Sequence, residues 1–88
     1  MKPSDYLKRG WCQGTMARCC GTDCLPTKDA DEWCLMGAIR ASGVNLVDYE
    51  LKLFDLIENT AVDWNDNPSR TQDEVIALAE KVEKELGI

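Results

Sequence analysis

The 88-residue chain contains no histidine. This absence excludes Ser-His and Cys-His nucleophilic catalysis, metal sites built on imidazole and the usual proton shuttle near neutral pH. The chain also lacks the glycine-rich patterns G-x-x-x-x-G-K and G-x-G-x-x-G, which cradle phosphates. Its sixteen carboxylates fall mostly at predicted helix caps and on polar helix faces, which is typical of capping and solvated charge. We therefore predict that the protein is not an enzyme.

Long apolar runs are absent as well. No run approaches the roughly 18 residues that a membrane helix needs. The N-terminus, Met1-Lys2-Pro3-Ser4, lacks the apolar stretch of a signal peptide. We expect a protein without a membrane partner, located in the cytoplasm, where cysteines stay reduced. The length of 88 residues and the 44% hydrophobic content predict one small globular domain over residues 1–88.

Positive charge is scarce in the second half of the chain. The net charge is −6, and residues 45–88 carry four bases and eleven acids, whereas residues 1–44 carry six bases and five acids. An acidic surface repels phosphate backbones, so direct nucleic-acid binding is not expected. Two interpretations stay open: a solvated surface that keeps the protein in solution, or a surface that competes with nucleic acid for a basic partner.

The apolar stretch Trp33–Ile39 organises the predicted fold. Acidic residues precede it, while Arg40 and Gly43 follow it, and these are helix start and stop signals. They predict a central helix over residues 29–41. One face of that helix carries only small residues, which would let another backbone approach closely; these are Ala30, Cys34, Gly37, Ala38 and Ala41.

Three further helices are predicted from a capping residue at each start and a break at each end. They span residues 4–9, 45–59 and 71–86, with Ser4, Asn45 and Thr71 as the expected caps. The helix over 45–59 has a broad apolar face made of two sets of residues: Leu46, Tyr49, Leu53 and Leu56, and beside them Val47, Leu51 and Phe54.

A small β-hairpin is predicted between the first helix and the central helix. Gly21-Thr22 suits the centre of a type II′ turn, and that register sets Cys19 opposite Cys24. Pro26 cannot donate to a ladder, so the second strand must be short and at an edge. The predicted fold class is mainly α: a compact four-helix domain with one small hairpin around the central helix 29–41.

The five cysteines are the strongest oddity of composition, and all lie in the first 34 residues. Zinc knuckles have two to four residues between ligands, and only one such knuckle can form here, because both candidate pairs share Cys24. The alternatives are one zinc ion held by four thiolates, a Cys19–Cys24 disulfide, or thiols that are merely buried apolar groups. The candidate ligands are Cys12, Cys19, Cys20, Cys24 and Cys34.

A loop before the last helix is the candidate interaction site. It is formed by Trp64, Asn65, Asp66 and Arg70, a combination of ring and charges that interfaces favour. We favour the structural interpretation, in which Asn65 and Asp66 accept hydrogen bonds from indole N–H groups or serve capping and turn bonds. In this interpretation Arg70 forms a salt bridge that ties the loop to a carboxylate of a neighbouring helix.

The order of several short motifs identifies a resemblance. They are Gly10-Trp11-Cys12-Gln13-Gly14, Ala17-Arg18, Trp33-Cys34-Leu35-Met36-Gly37-Ala38 and Trp64-Asn65-Asp66-x-Pro68-x-Arg70-Thr71-Gln72. Together they resemble a functionally uncharacterised family of small bacterial and phage proteins with GWC, WCxxGA and WNDxPxRT motifs. The resemblance covers residues 10–82 and implies a shared fold without an assigned activity. The family hairpin resembles A-R-D-x-D-G, so Cys19, Cys20 and Cys24 depart from it.

Two functions follow as hypotheses. The first is a small acidic, non-enzymatic protein-interaction module, including the role of a phage-type inhibitor or regulator of a host or bacterial protein, with no cofactor. Occurrence of the family in phages implies such a host-directed role. The second is a cysteine-thiolate module that binds one zinc ion or undergoes redox chemistry.

Overall fold

The computed structural model describes every residue from Met1 to Ile88 and contains five helices and three short strands. The strands form one antiparallel sheet in the order β2-β1-β3. The mainly α class with a small β part is therefore confirmed. The elements are α1 (Pro3–Arg9), β1 (Ala17–Cys19), β2 (Thr22–Asp23), β3 (Glu32–Trp33), α2 (Leu35–Ser42), α3 (Leu46–Ile57), α4 (Ala61–Asn65) and α5 (Gln72–Leu86).

The stretch Trp33–Ile39 is the centre of the core, as the sequence predicted. All seven of its residues are buried. Helix α1 packs against α2 and α5, while α4 packs against α2. The close approach predicted for the small-residue face occurs at Gly37, where the backbone of Met16 lies against the helix. Burial of so long an apolar run removes a large area from water and stabilises the domain.

The start of the central helix was predicted wrongly. The helix begins at Leu35, not at residue 29, because Glu32–Trp33 pairs with β1 as a third strand. Cys34 caps it, its sulfur accepting from the backbone N–H of Gly37 at 3.3 Å. Sulfur is not among the usual capping groups. The preceding acids resembled a helix start but serve elsewhere, since Asp31 accepts from the backbone N–H of Cys20 at 2.7 Å.

The predicted count of four helices was also wrong. Residues 61–65, which we expected to lead into a loop, form the short helix α4. Thr60 caps it and accepts from the backbone N–H of Asp63. Other boundaries are confirmed: Gly43 ends α2 with φ +74°, Asn45 caps α3, and a capping box at Thr71 opens α5.

The hairpin has a different register from the predicted one. Both central residues of its turn, Cys20 and Gly21, have positive φ, so the turn is type I′ and lies one residue earlier than expected. Cys19 therefore lies opposite Thr22, and Cys24 is its diagonal neighbour. The diagonal pair is still joined by a disulfide, with Cα atoms 5.8 Å apart. Strand β2 is short and at the edge, as predicted.

A buried carboxylate links three helices, and it corrects the predicted role of Ser4. Ser4 is not the cap of α1 but lies inside it. Its backbone N–H and its hydroxyl donate to Glu83 of α5 at 2.9 and 2.6 Å. The hydroxyl of Tyr49 on α3 donates to the same carboxylate at 2.9 Å. Burial and the adjacent carboxylate of Glu83 raise the pKa of Tyr49 far above its ordinary value, so this phenol stays a donor.

Candidate functional site

Helix α3 leaves one of its two apolar stripes in solvent. Tyr49 and Leu53 are buried, whereas Val47, Leu51 and Phe54 are 63%, 63% and 57% exposed. Spacings of four and three residues place the exposed three along one side of the helix. Single exposed apolar side chains are ordinary, but a contiguous row is typical of an interaction surface.

The exposed stripe forms one wall of a groove between α3 and α4. Met36, Ala61 and Val62 contribute to the groove, which has a volume of about 350 Å³. Seven of its ten lining residues are hydrophobic, so the groove is suited to an apolar group rather than a polar metabolite. We call this surface the apolar groove; its hydrophobic lining residues are Met36, Val47, Leu51, Leu53, Phe54, Ala61 and Val62.

The surroundings of the apolar groove are acidic. Residues 45–66 contain six carboxylates and a single base, Lys52. Glu50 lies in the groove wall, Asp55 on α3 and Asp63 on α4 are exposed, and so is Glu58, which ends α3. Clefts of one charge with low-dielectric walls concentrate ligands of the opposite charge. The groove therefore combines an apolar lining that includes Glu50 with an acidic surrounding segment, residues 45–66, whose charged side chains we call its rim.

Trp64 and Arg70, predicted as interaction residues, contact each other. The guanidinium carbon of Arg70 lies 3.7 Å from the centre of the Trp64 ring, a cation–π contact. Arg70 also donates from Nε to the carbonyl of Trp64 at 3.1 Å and forms an ion pair with Glu74 at 3.0 Å. The hydrogen bond from Arg70 lowers the pKa of Glu74. The arginine thus ties the loop to the first turn of α5.

Asn65, from the same predicted site, is fully buried. Its Oδ1 accepts from the indole N–H of Trp11 at 2.7 Å and from the backbone N–H of Leu35 at 3.0 Å. Its Nδ2 donates to the carbonyl of Cys12 and to Asp66, both at 3.1 Å. The amide thereby uses all four of its hydrogen-bonding positions inside the protein. Of the two uses that the sequence left open for Asn65, the structure shows the bond to an indole N–H.

Asp66 completes the link between two distant loops. Its carboxylate accepts from the backbone N–H of Gly14 at 3.0 Å. From the same early loop, the side chain of Gln13 donates to the carbonyls of Asn65 and Asn67, both at 2.8 Å. Residues 11–14 and 64–67, which carry two of the sequence motifs, are therefore parts of one hydrogen-bonded cluster.

The structure does not bring the five cysteines together. No group of three or more His, Cys, Asp or Glu side chains is placed to hold a metal ion. Cys19 and Cys24 form the disulfide, Cys20 is exposed at the hairpin turn, and Cys12 and Cys34 are buried. The four-thiolate zinc site stays a prediction, without support from this arrangement.

The two buried thiols are held in their protonated form. Burial, and then the proximity of Cys34, raise the pKa of Cys12 to about 11. Burial likewise raises the pKa of Cys34. Because thiolates and not thiols attack electrophiles and bind metals, these two groups are poorly suited to either task at neutral pH. They pack as small apolar groups, with Cys34 Sγ 3.9 Å from the sulfur of Met16.

Sequence reasoning predicted one broad apolar face on α3 and did not identify the apolar groove. The signal for it was present, because α3 has two adjacent apolar stripes, and a helix at the surface needs only one. The placement of α5 decides which stripe is turned toward the interior. The carbonyl of Ala79 and the carboxylate of Glu83, both on α5, accept from the hydroxyl of Tyr49. That placement is a tertiary property.

Comparison with known proteins yields a family and nothing more specific. A family model described as a family of unknown function, DUF6197, matches residues 4–85. No curated protein matches the chain, and no solved structure does. Within the structure, none of the five helices has both the length and the apolar character needed to cross a bilayer.

Proposed function

We propose that this chain, which belongs to the DUF6197 family of unknown function, is a small acidic, non-enzymatic protein that binds another protein. The partner is a bacterial or host protein in the cytoplasm, and the chain acts as its inhibitor or regulator. Neither nucleic acid nor a membrane is its target. The acidic surface supports this choice, because it repels both phosphate backbones and anionic lipid headgroups.

The observation that carries the proposal is the exposed stripe of α3. Val47, Leu51 and Phe54 remain in solvent although the domain has a core of 16 buried residues, to which the same helix contributes Tyr49 and Leu53. Full burial of one such side chain from full exposure is worth roughly 1.5–3 kcal/mol, and these three side chains still expose more than half of their surface. A partner that covers the apolar groove recovers this free energy on binding.

The predicted interaction residues around Trp64 then have a supporting role. Their polar groups already bond within the protein, as described for Asn65, Asp66 and Arg70. Helix α4, which ends at Asn65, also provides Val62 to the groove. We propose that the cluster holds α4 at its distance from α3 and so maintains the shape of the groove.

A pair of matched leucine substitutions tests the surface. Leu51 in the groove and Leu25 after β2 are both exposed, at 63% and 78%. We expect Leu51→Ser to weaken binding of the captured partner by about tenfold or more, since central apolar contacts dominate interfaces. Leu25→Ser should bind like the wild type. The measurement is calorimetry with the purified partner, after capture from host lysate identifies it, and all variants should keep the wild-type melting temperature within a few degrees.

Equal affinity of the wild type and Leu51→Ser would show that the partner docks elsewhere. Arg70→Ala then tests whether the loop at Trp64 contacts the partner. Binding lost at unchanged melting temperature would assign contact to the loop at Trp64. A fall in both, in proportion, would assign a structural role to that loop. If no partner is captured reproducibly at near-native expression, the proposed function itself is wrong.

One observation favours the alternative function, a cysteine-thiolate module. The disulfide between Cys19 and Cys24 has the exposed thiol of Cys20 beside it. In a redox role the two thiols would form this bond while one molecule of oxidised glutathione is reduced to two thiols. This role is tested by alkylating the free thiols in a series of glutathione buffers that differ in the ratio of oxidised to reduced form. The mass of the protein then shows in which buffers the disulfide is present. For the zinc role, less than about half an equivalent of zinc in anaerobically purified protein would exclude a structural site.

A further inference from the structure

We infer that the occupant of the apolar groove is a basic amphipathic helix of the partner protein. The inference rests on the proposed function, which names the surface, and it adds the chemical class of what binds there. Two independent properties lead to it: the helical walls of the groove, and the charge of its rim.

The walls favour a helix over an extended segment. Val47, Leu51 and Phe54 extend over about two turns, or roughly 10 Å, of α3. Both walls are helices, whose backbone groups bond internally, so no free sheet edge is available for an added strand. A third helix can instead insert a row of apolar side chains, spaced three and four apart, between α3 and α4.

The rim favours a basic helix. Glu50 lines the groove, and Asp55, Glu58 and Asp63 are exposed elsewhere on the segment that forms its walls. Lys52 is the single base between residues 45 and 66. Lysine or arginine on either side of the partner's apolar row would meet these carboxylates. Such complementarity accelerates association and disfavours wrong partners. It also makes the affinity depend on salt, because pairs at a rim are screened.

A second copy of this chain is a poor occupant. Face-to-face docking of two grooves would bring two acidic rims together, and like charges in contact oppose association. Each rim has Lys52 as its only base to offset that repulsion. The charge of the groove thus points to a different, positively charged chain.

Selection from a peptide library tests the class of partner directly. The library displays helix-forming peptides of about 20 residues with apolar rows at helical spacing and flanks of every charge. It is first depleted on Leu51→Ser and then selected on the wild type. We expect the enriched peptides to carry a net positive charge and an uninterrupted apolar row, and to bind with lower affinity as salt is raised.

Paired charge variants give the second readout. Glu50→Gln combined with Asp55→Asn removes two rim charges, whereas Asp23→Asn combined with Asp29→Asn removes two exposed charges from the hairpin and the loop that follows it. We expect the first pair to weaken binding of the enriched basic peptide by about fivefold and to make its affinity less dependent on salt. The second pair should change the affinity by less than about twofold. The wild-type melting temperature should be retained in both.

The outcomes separate this inference from the proposed function. Enrichment of neutral or acidic peptides, or equal effects of the two charge pairs, overturns the basic helix and leaves the groove as the binding surface. A second result also overturns only the inference that the occupant is a helix. In that result, no peptide is enriched on the wild type after depletion on Leu51→Ser, while Leu51→Ser still abolishes binding of the natural partner. Self-association that Leu51→Ser abolishes, or binding of the wild type to zwitterionic vesicles, assigns the groove to a second copy or to lipid and overturns both.

Discussion

Gly37→Ala is expected to destabilise the domain by about 3–5 kcal/mol, a large share of the roughly 5–15 kcal/mol by which a small domain is ordinarily stable. In an open helix the same change would stabilise by up to about 1 kcal/mol, since alanine is the better helix former. In this helix the change destabilises instead, because a Cβ at Gly37 would overlap the carbonyl oxygen of Met16. The same Cβ would lie 2.9 Å from the carbonyl carbon of Met16. Met16 cannot retreat freely, because its carbonyl accepts from the backbone N–H of Cys34.

Urea denaturation monitored by tryptophan fluorescence measures this loss. Arg40→Ala is the matched control, because Arg40 is exposed on the same helix, and its change in stability should stay within about 0.5 kcal/mol. A Gly37→Ala protein that unfolds at the same urea concentration as the wild type, or at a higher one, would mean that the backbone of Met16 does not approach α2 closely.

Asn65→Asp is expected to cost about 3–5 kcal/mol, although the two side chains have nearly the same shape. The substitution replaces a donor with a carboxylate oxygen next to two acceptors, the carbonyl of Cys12 and the carboxylate of Asp66. It leaves the Cys12 carbonyl without its partner and buries a charge at a fully buried position. The two acceptor bonds, from Trp11 and Leu35, offset only part of that loss.

Asn67→Asp provides the control for the same chemical change two residues away. Asn67 is exposed, and its side chain only accepts from the backbone N–H of Ser69, a bond that a carboxylate retains. Its stability should therefore differ from the wild type by less than about 0.5 kcal/mol. The loss of stability in Asn65→Asp should become smaller toward acid pH, because protonation of the new carboxylate removes the buried charge and restores one donor. Equal stability of the two variants at neutral pH would refute the buried cluster.

These two substitutions lie outside the apolar groove, and that separation matters for function. The core at Gly37 and the cluster at Asn65 hold α2 and α4 in place, while the exposed residues of α3 can be changed at little cost in stability. A loss of partner binding in Leu51→Ser at constant melting temperature is therefore interpretable as a loss of contact. A loss of binding in Asn65→Asp would instead accompany unfolding.

Local signals in the sequence predicted most of the elements. Caps at Asn45 and Thr71 and the left-handed glycine at Gly43 act within a few residues, so their outcome does not depend on distant parts of the chain. The signals failed where a distant partner decided the conformation. Glu32–Trp33 became a strand because β1 offered an open edge, and the acids before it looked like a helix start only when considered alone.

The sequence by itself determined the helical class, the buried stretch Trp33–Ile39 and the acidity of residues 45–88, because these depend on composition, spacing and short-range bonds. Only the tertiary structure decided which stripe of α3 is buried and that Asn65 and Glu83 lie inside. Both polar side chains are stabilised by bonds to residues 30 or more positions away, such as Leu35 and Ser4. A polar residue is buried only where several such distant partners converge, and that convergence exists only in the packed fold.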